Sequence, residues 1–284
     1  MKEKNISLVG MKSPSDIPSV RKSGLTIYTP ERWEDYLKLI NGPLKNWAYR
    51  GHANASWELE STLSRELRNR NIQKRYWTQQ EYRIIWIFQR KASHFVEEAP
   101  HVTDTMHWLA LMQHHGAPTR LLDFTWSAYV AAFFALEPST GDAAVWAVNT
   151  PKTGTFYFPP VFSSHKHRVS HPKDVLRKYC PGNRNGVVFG EPFFKNQRLV
   201  AQSGTFACPI NITKTIDQVL DQRENVIAKV VLGGKELRRE ALHELYSMNI
   251  TNATLFPDLD GLCRSLRFEL EYEWRFNPTA DPIK

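Results

Sequence analysis

The sequence predicts a single α+β domain, with a mixed sheet flanked by helices. Two runs read as buried strands: Ala143 to Val148 (AAVWAV) and Val226 to Leu232, the second closed by Gly233-Gly234. Before and after them, Thr78 to about Glu98 and Lys235 to Met248 carry apolar residues at helical spacing. The chain has 284 residues, 42% hydrophobic and 12% aromatic, which suits a globular domain with a sizeable core.

Residues 1 to 24 are polar, with Ser, Pro and Lys, and read as an arm or a loosely packed strand ahead of one domain spanning 25 to 284. Thr29-Pro30-Glu31 opens a helix, because Pro30 suits the first turn; Trp33, Tyr36, Leu37 and Ile40 then fall on one side. Asn41-Gly42-Pro43 ends it. Trp47 to Gly51 reads as a strand and turn, and the basic stretch Arg65 to Arg75 as an exposed loop or helix edge. Thr78 and Glu81 have capping-box spacing; Glu81 also shares the face of Ile84, Ile85 and Phe88. Asp104 starts a further helix that runs to His114 or His115, where basic groups complement the carbonyl end.

The stretch Gln113 to Leu136, QHHGAPTRLLDFTWSAYVAAFFAL, concentrates the chemistry. Gly116 and Pro118 break the preceding helix, Thr119 to Leu122 reads as a short buried strand, and Asp123 or Thr125 can cap the next helix. Alanines 128, 131, 132 and 135 let that helix approach its neighbours closely. Its polar groups therefore sit where a strand turns into a buried helix, where outward N–H groups favour anions. Arg120 and Asp123 have an equally direct reading as ties across the turn.

Pro151 to Gly186 reads as irregular and basic, with His165, His167 and His171, either a solvated insertion or a cover over a site. Arg198 to Phe206 reads as a strand, Leu255 to Gly261 as a turn, and Phe268 to Phe276 (FELEYEWRF) as a strand placing Glu269 and Glu271 on one face. Three separated cysteines form neither a zinc pattern nor a disulfide framework, so a reducing, cytoplasmic location is expected. The N-terminus lacks the apolar core of a signal peptide, and no run suits a membrane span, so no membrane partner is expected. The net charge of +8 favours a polyanionic partner.

Three pieces, in order, carry a family resemblance: Tyr49-Arg50-Gly51 with Trp57 downstream, QHHGAPTRLLDFT within Gln113 to Ala135, and Arg198 to Phe206 with its AQSGTF core. They resemble the FRG domain family, with tyrosine in place of the motif's phenylalanine; Leu255 to Leu262 (LFPDLDGL) is also similar to a downstream segment. The resemblance spans about residues 40 to 262. It implies a bacterial or phage setting, with a role in phage defence or as a toxin, and a neutralising partner.

A second resemblance is to ADP-ribosyltransferases, which place an Arg or His on an early strand, a Ser/Thr or Tyr motif before a helix, and a Glu or Gln on a later strand. It implies a mixed, split β-sheet core flanked by helices, with NAD as substrate and no metal. Arg50 with Gly51 matches the first motif, Thr125-Trp126-Ser127 the second, and Gln202 the third. The catalytic candidates are Arg50, His114, Asp123, Thr125 and Gln202, with Gly51, Arg120 and Ser127 as cofactor-binding candidates. Glu81, Glu269 and Glu271 are alternative acids.

Breaking a nicotinamide–ribose bond builds positive charge on the sugar, which a nearby carboxylate or amide can orient and stabilise. An arginine can grip phosphate with paired donors. For Arg50 the alternative is an internal ion pair to Asp123 or Glu81. The acceptor of ADP-ribose is expected to be nucleic acid or protein. Two other readings stay open. One is a metal-dependent nuclease or other hydrolase built on His107, His114, His115 and Asp123. The other is a non-catalytic nucleic-acid or nucleotide-binding module resting on Arg65 to Arg75 and the basic loop near Lys166.

Overall fold

A computed structural model describes residues 13–92, 94–102, 104–153, 184–192 and 195–272. Its strands are β1 (Ser19–Lys22), β2 (Leu25–Tyr28), β3 (Ala48–His52), β4 (Leu122–Thr125), β5 (Ala143–Val148), β6 (Val187–Gly190), β7 (Gly204–Pro209) and β8 (Ile227–Leu232). Among the described residues the helices are α1 (Trp33–Asn41), α2 (Thr62–Asn69), α3 (Trp77–Ala92), α4 (Thr105–His114), α5 (Ala128–Leu136), α6 (Gln197–Ala201), α7 (Ile216–Leu220), α8 (Lys235–Ser247), α9 (Asn252–Leu255) and α10 (Leu259–Tyr272).

The strands make one sheet in the order β1-β2-β8-β5-β3-β4-β7-β6. β2 and β8 run parallel and every other pair antiparallel, so the sheet is mixed as expected. Among the described residues it is one eight-stranded sheet rather than a split one. Its thinnest junction is β3 to β4, joined by the single registered pair Tyr49↔Thr125, whereas β3 and β5 share a five-residue register from Ala48 to His52.

Helices cover both faces. On one, α1, α5 and α8 bury Trp33, Tyr36, Phe133, Leu242 and Leu245 against Tyr49, Val145 and Val230. On the other, Ala48, Phe124 and Trp146 pack with Ile216 and Leu220 of α7, and a neighbouring cluster joins Ile85 and Leu109 of α3 and α4 to Phe206 of β7. β3 sits so tightly on α5 that a Cβ added at Gly51 would lie 2.1 Å from the Ala131 carbonyl oxygen and 2.6 Å from the Ala135 nitrogen. The alanines on α5 make that approach sterically available.

Several boundaries differ from the sequence expectation, each for a local reason. Part of the polar arm, Ser19–Lys22, is the exposed edge strand, and the Asp221 carboxylate accepts from the Gly24 and Leu25 N–H groups at its turn. The helix expected from Thr29 begins at Trp33, and the basic stretch begins inside α2. The helix from Trp77 stops at Ala92 rather than near Glu98. The short strand expected at Thr119 to Leu122 lies instead at Leu122–Thr125, because the Thr119 and Arg120 side chains are engaged in side-chain bonds that fix the preceding turn. Ser127, not Asp123 or Thr125, caps α5 by accepting from Val130 N–H at 3.3 Å. Gln197–Ala201 is helical because Asn196 caps it, accepting from Leu199 N–H at 2.7 Å; the strand starts only at Gly204. The segment from Phe268 to Tyr272 is helical rather than extended, since Phe268 is buried and stacked on Tyr246 of α8 with ring centres 5.1 Å apart. His165, His167, His171 and Lys166 lie outside the described residues.

Candidate functional site

The cavity opens at the β3/β4 junction. Tyr49 and Gly51 point to one face of β3 and Arg50 to the other, yet all three line it, because the ladder to β4 does not continue past Tyr49. The cavity holds about 260 Å³ and is also lined by Gln113, His114, Asp123, Phe124, Thr125, Asn196, Arg198, Gln202 and Phe256. The central motif, the end of α4, the α6 segment and the Leu255 turn thus meet at one place.

The Arg50 side chain is 25% exposed. Its Nη1 donates to the Asp123 carbonyl oxygen, and the Asp123 carboxylate stands 3.8 Å away. Its Nε donates to His52 Nε2 at 3.0 Å. Burial pulls the guanidinium below its ordinary pKa, and Asp123 opposes that shift. His52 is buried, and burial together with the Arg50 charge lowers its imidazole pKa to about 3. It is therefore neutral at ordinary pH, with its proton on Nδ1 and Nε2 free to accept from Arg50. Sequence reasoning missed His52, although the two-residue strand period puts residues 50 and 52 on one face.

Asp123 is exposed and accepts from Gln113 Nε2 at 3.1 Å, while Gln113 accepts in turn from the Thr119 hydroxyl. The Thr125 hydroxyl donates to the Gln202 carbonyl oxygen at 2.7 Å and accepts from Ser127 N–H at 3.0 Å, which fixes the strand-to-helix turn. The Gln202 amide nitrogen donates to the Leu255 carbonyl oxygen at 3.0 Å. His114 Nδ1 lies 3.3 Å from the Asn196 amide nitrogen; burial, then His115 and Arg198, lower the His114 pKa. Arg198 lies over the Phe256 ring at 4.3 Å, and Arg264 over the same ring at 5.0 Å.

Arg50, His114, Asp123, Thr125, Gln202 and Gly51 are thus brought together. The other expected residues are placed elsewhere. Arg120 is 1% exposed and Glu81 0% exposed. Arg120 Nε donates to Glu81 at 2.6 Å, and its Nη1 donates to the Pro209 and Ile210 carbonyls. That pair is a clamp between α3 and β7, with Glu81 as the counter-ion of Arg120, and neither residue lines the cavity. Ser127 caps a helix outside the lining. Glu269 lies on α10, where it accepts from the Tyr246 hydroxyl at 2.6 Å, away from the cavity. Glu271 lies in the last turn of the same helix, its side chain outside the described part. Arg198 and Phe256 were passed over in reading AQSGTF and LFPDLDGL as strand and turn.

For the metal reading, His107 faces Asp104 at 3.8 Å rather than the cavity, and among the described residues no three His, Cys, Asp or Glu side chains gather as a metal site needs. No described helix is long and apolar enough to cross a membrane.

Residues 45–143 match the FRG domain model. That segment holds YRG and QHHGAPTRLLDFT, while AQSGTF and LFPDLDGL fall outside it. No curated protein and no solved structure matches the chain.

Proposed function

We propose, from the premise that residues 45–143 are an FRG domain, that the cavity at the β3/β4 junction binds NAD and that the chain is an ADP-ribosyltransferase-like enzyme. The observation that carries this reading is the meeting of Arg50, Thr125 and Gln202, three residues from distant segments, around one cavity. In this reading Arg50 takes a phosphate, preset by the neutral His52 that accepts from its Nε. Cleavage of the nicotinamide–ribose bond leaves positive charge on the sugar, and Asp123 is the carboxylate among the described lining residues able to face it. The Thr125 hydroxyl and Gln202 amide shape the wall through bonds to backbone. ADP-ribose would then pass to a nucleic-acid or protein acceptor.

The test is titration calorimetry with NAD, followed by nicotinamide release in the presence of DNA, RNA or protein. Wild type is expected to bind NAD, Arg50→Gln to weaken it at least ~10-fold, the loss of about 1.4 kcal/mol, and Asp123→Asn to keep binding but stop release. Absence of both binding and release in the wild type ends this reading. A second reading, nucleotide binding without turnover, is favoured by the lack of a glutamate among the described lining residues. It predicts binding with no release.

A further inference from the structure

Arg198 differs from the other arginines around the site. Arg50 is tied to His52 and to Asp123, and Arg120 is locked to Glu81. Arg198 lies over Phe256, its guanidinium carbon 4.3 Å from the ring centre, and among the described residues its guanidinium makes no hydrogen bond or ion pair. It is half-buried, and burial lowers its pKa, with Asp123 the main opposing charge. A cation–π contact fixes the plane of a guanidinium but leaves its in-plane N–H donors unused. Arg198 lines the same cavity as Arg50. Arg264 over the same ring adds a further positive charge nearby. A half-buried cation with unused donors is costly unless something anionic meets it.

We propose that Arg198, braced by Phe256, is a second anion-binding group of this cavity, so that the ligand it takes carries a diphosphate: a nucleoside diphosphate or a dinucleotide rather than a monophosphate. This deepens the reading above and rests on it for the nucleotide portion, but the paired-arginine element is separable. The α6 segment supplies the second arginine and the FRG-matching segment supplies the first. The chain after residue 143 thereby sets the ligand's charge.

The experiment compares binding of NAD, ADP, AMP, inorganic pyrophosphate and inorganic phosphate to wild type, Arg198→Gln and Phe256→Leu. Wild type is expected to prefer ADP and NAD to AMP, and pyrophosphate to phosphate, each at least ~10-fold. Arg198→Gln should erase the preference while leaving AMP affinity within ~3-fold. Phe256→Leu, which keeps the arginine but removes its platform, should lower the preference partway. Wild type that binds NAD, with Arg198→Gln matching it on every ligand, overturns the assignment and spares the NAD reading. Wild type that binds pyrophosphate through Arg198 but does not bind NAD keeps the arginine pair and overturns the NAD reading. Wild type that binds neither pyrophosphate nor nucleotide overturns both.

Discussion

His52 shows how a side chain can serve a site by remaining uncharged. Its pKa is about 3, well below the ordinary histidine value, because it is buried beside Arg50. Acidification through pH 6.5 therefore adds a proton to the unfolded chain before the folded one. The folded state loses stability as pH falls from about 6.5 toward 3, by up to ~1.4 kcal/mol per pH unit. His52→Gln keeps an acceptor for Arg50 and removes the titration. Urea unfolding at pH 7 and pH 4.5 should show wild type losing about 2–3 kcal/mol more than the variant. Equal losses would refute this account of His52. The pair was legible in principle from the sequence, since two residues apart on a strand means one face, but nothing in the spacing says that the histidine is buried. Glu81 and Arg120 carry the converse lesson. Each motif position suggested chemistry, but 39 residues of separation hid that the two side chains meet in the core.

At the scale of elements, apolar runs were legible where burial is uniform. β5, β8 and α8 lie where AAVWAV, the second β-branched run and the helical spacing put them, each within two residues. Misreadings came where two periods coexist. Leu259, Leu262, Leu266 and Leu270 follow helical spacing, while FELEYEW alternates like a strand; the stacking of Phe268 on Tyr246 decides for the helix. The α5/β3 contact was half legible: the alanines were evident, but not that Gly51 is their partner. Gly51 lines the cavity, yet its missing Cβ is what lets β3 lie against the α5 backbone. Gly51→Ala cannot be relieved by a rotamer change, because the obstructing atoms are main chain. It should cost about 1–3 kcal/mol or more in folding stability. Thermal melts check it: an unchanged midpoint would mean that β3 shifts freely and that the close contact is not required.

At the scale of the whole molecule, the residues that meet at the cavity span Tyr49 to Phe256, so no short motif could have displayed the site. A mixed sheet flanked by helices was expected, with the family resemblance carrying much of that expectation. The strand order was not, because β8 inserts between β2 and β5 although Leu25 of β2 pairs with Ile227, far along the chain, and no local pattern encodes that pairing. The family-matching segment supplies β3 and β4, which are adjacent and central, and ends at the first residue of β5, so β5 on one side and β7 on the other come from the chain after it. Excised on its own, residues 45–143 would carry two bare strand margins with unmet backbone donors and acceptors. Expression of that fragment should give aggregates, and adding back residues 144–272 as a separate chain should rescue solubility. A fragment that is soluble, monomeric and cooperatively folded would contradict the strand order. It follows that the family-matching block of this chain is an incomplete scaffold. Its two borders are finished by β5 and β7, so the later part of the chain closes the sheet and lines the cavity at once.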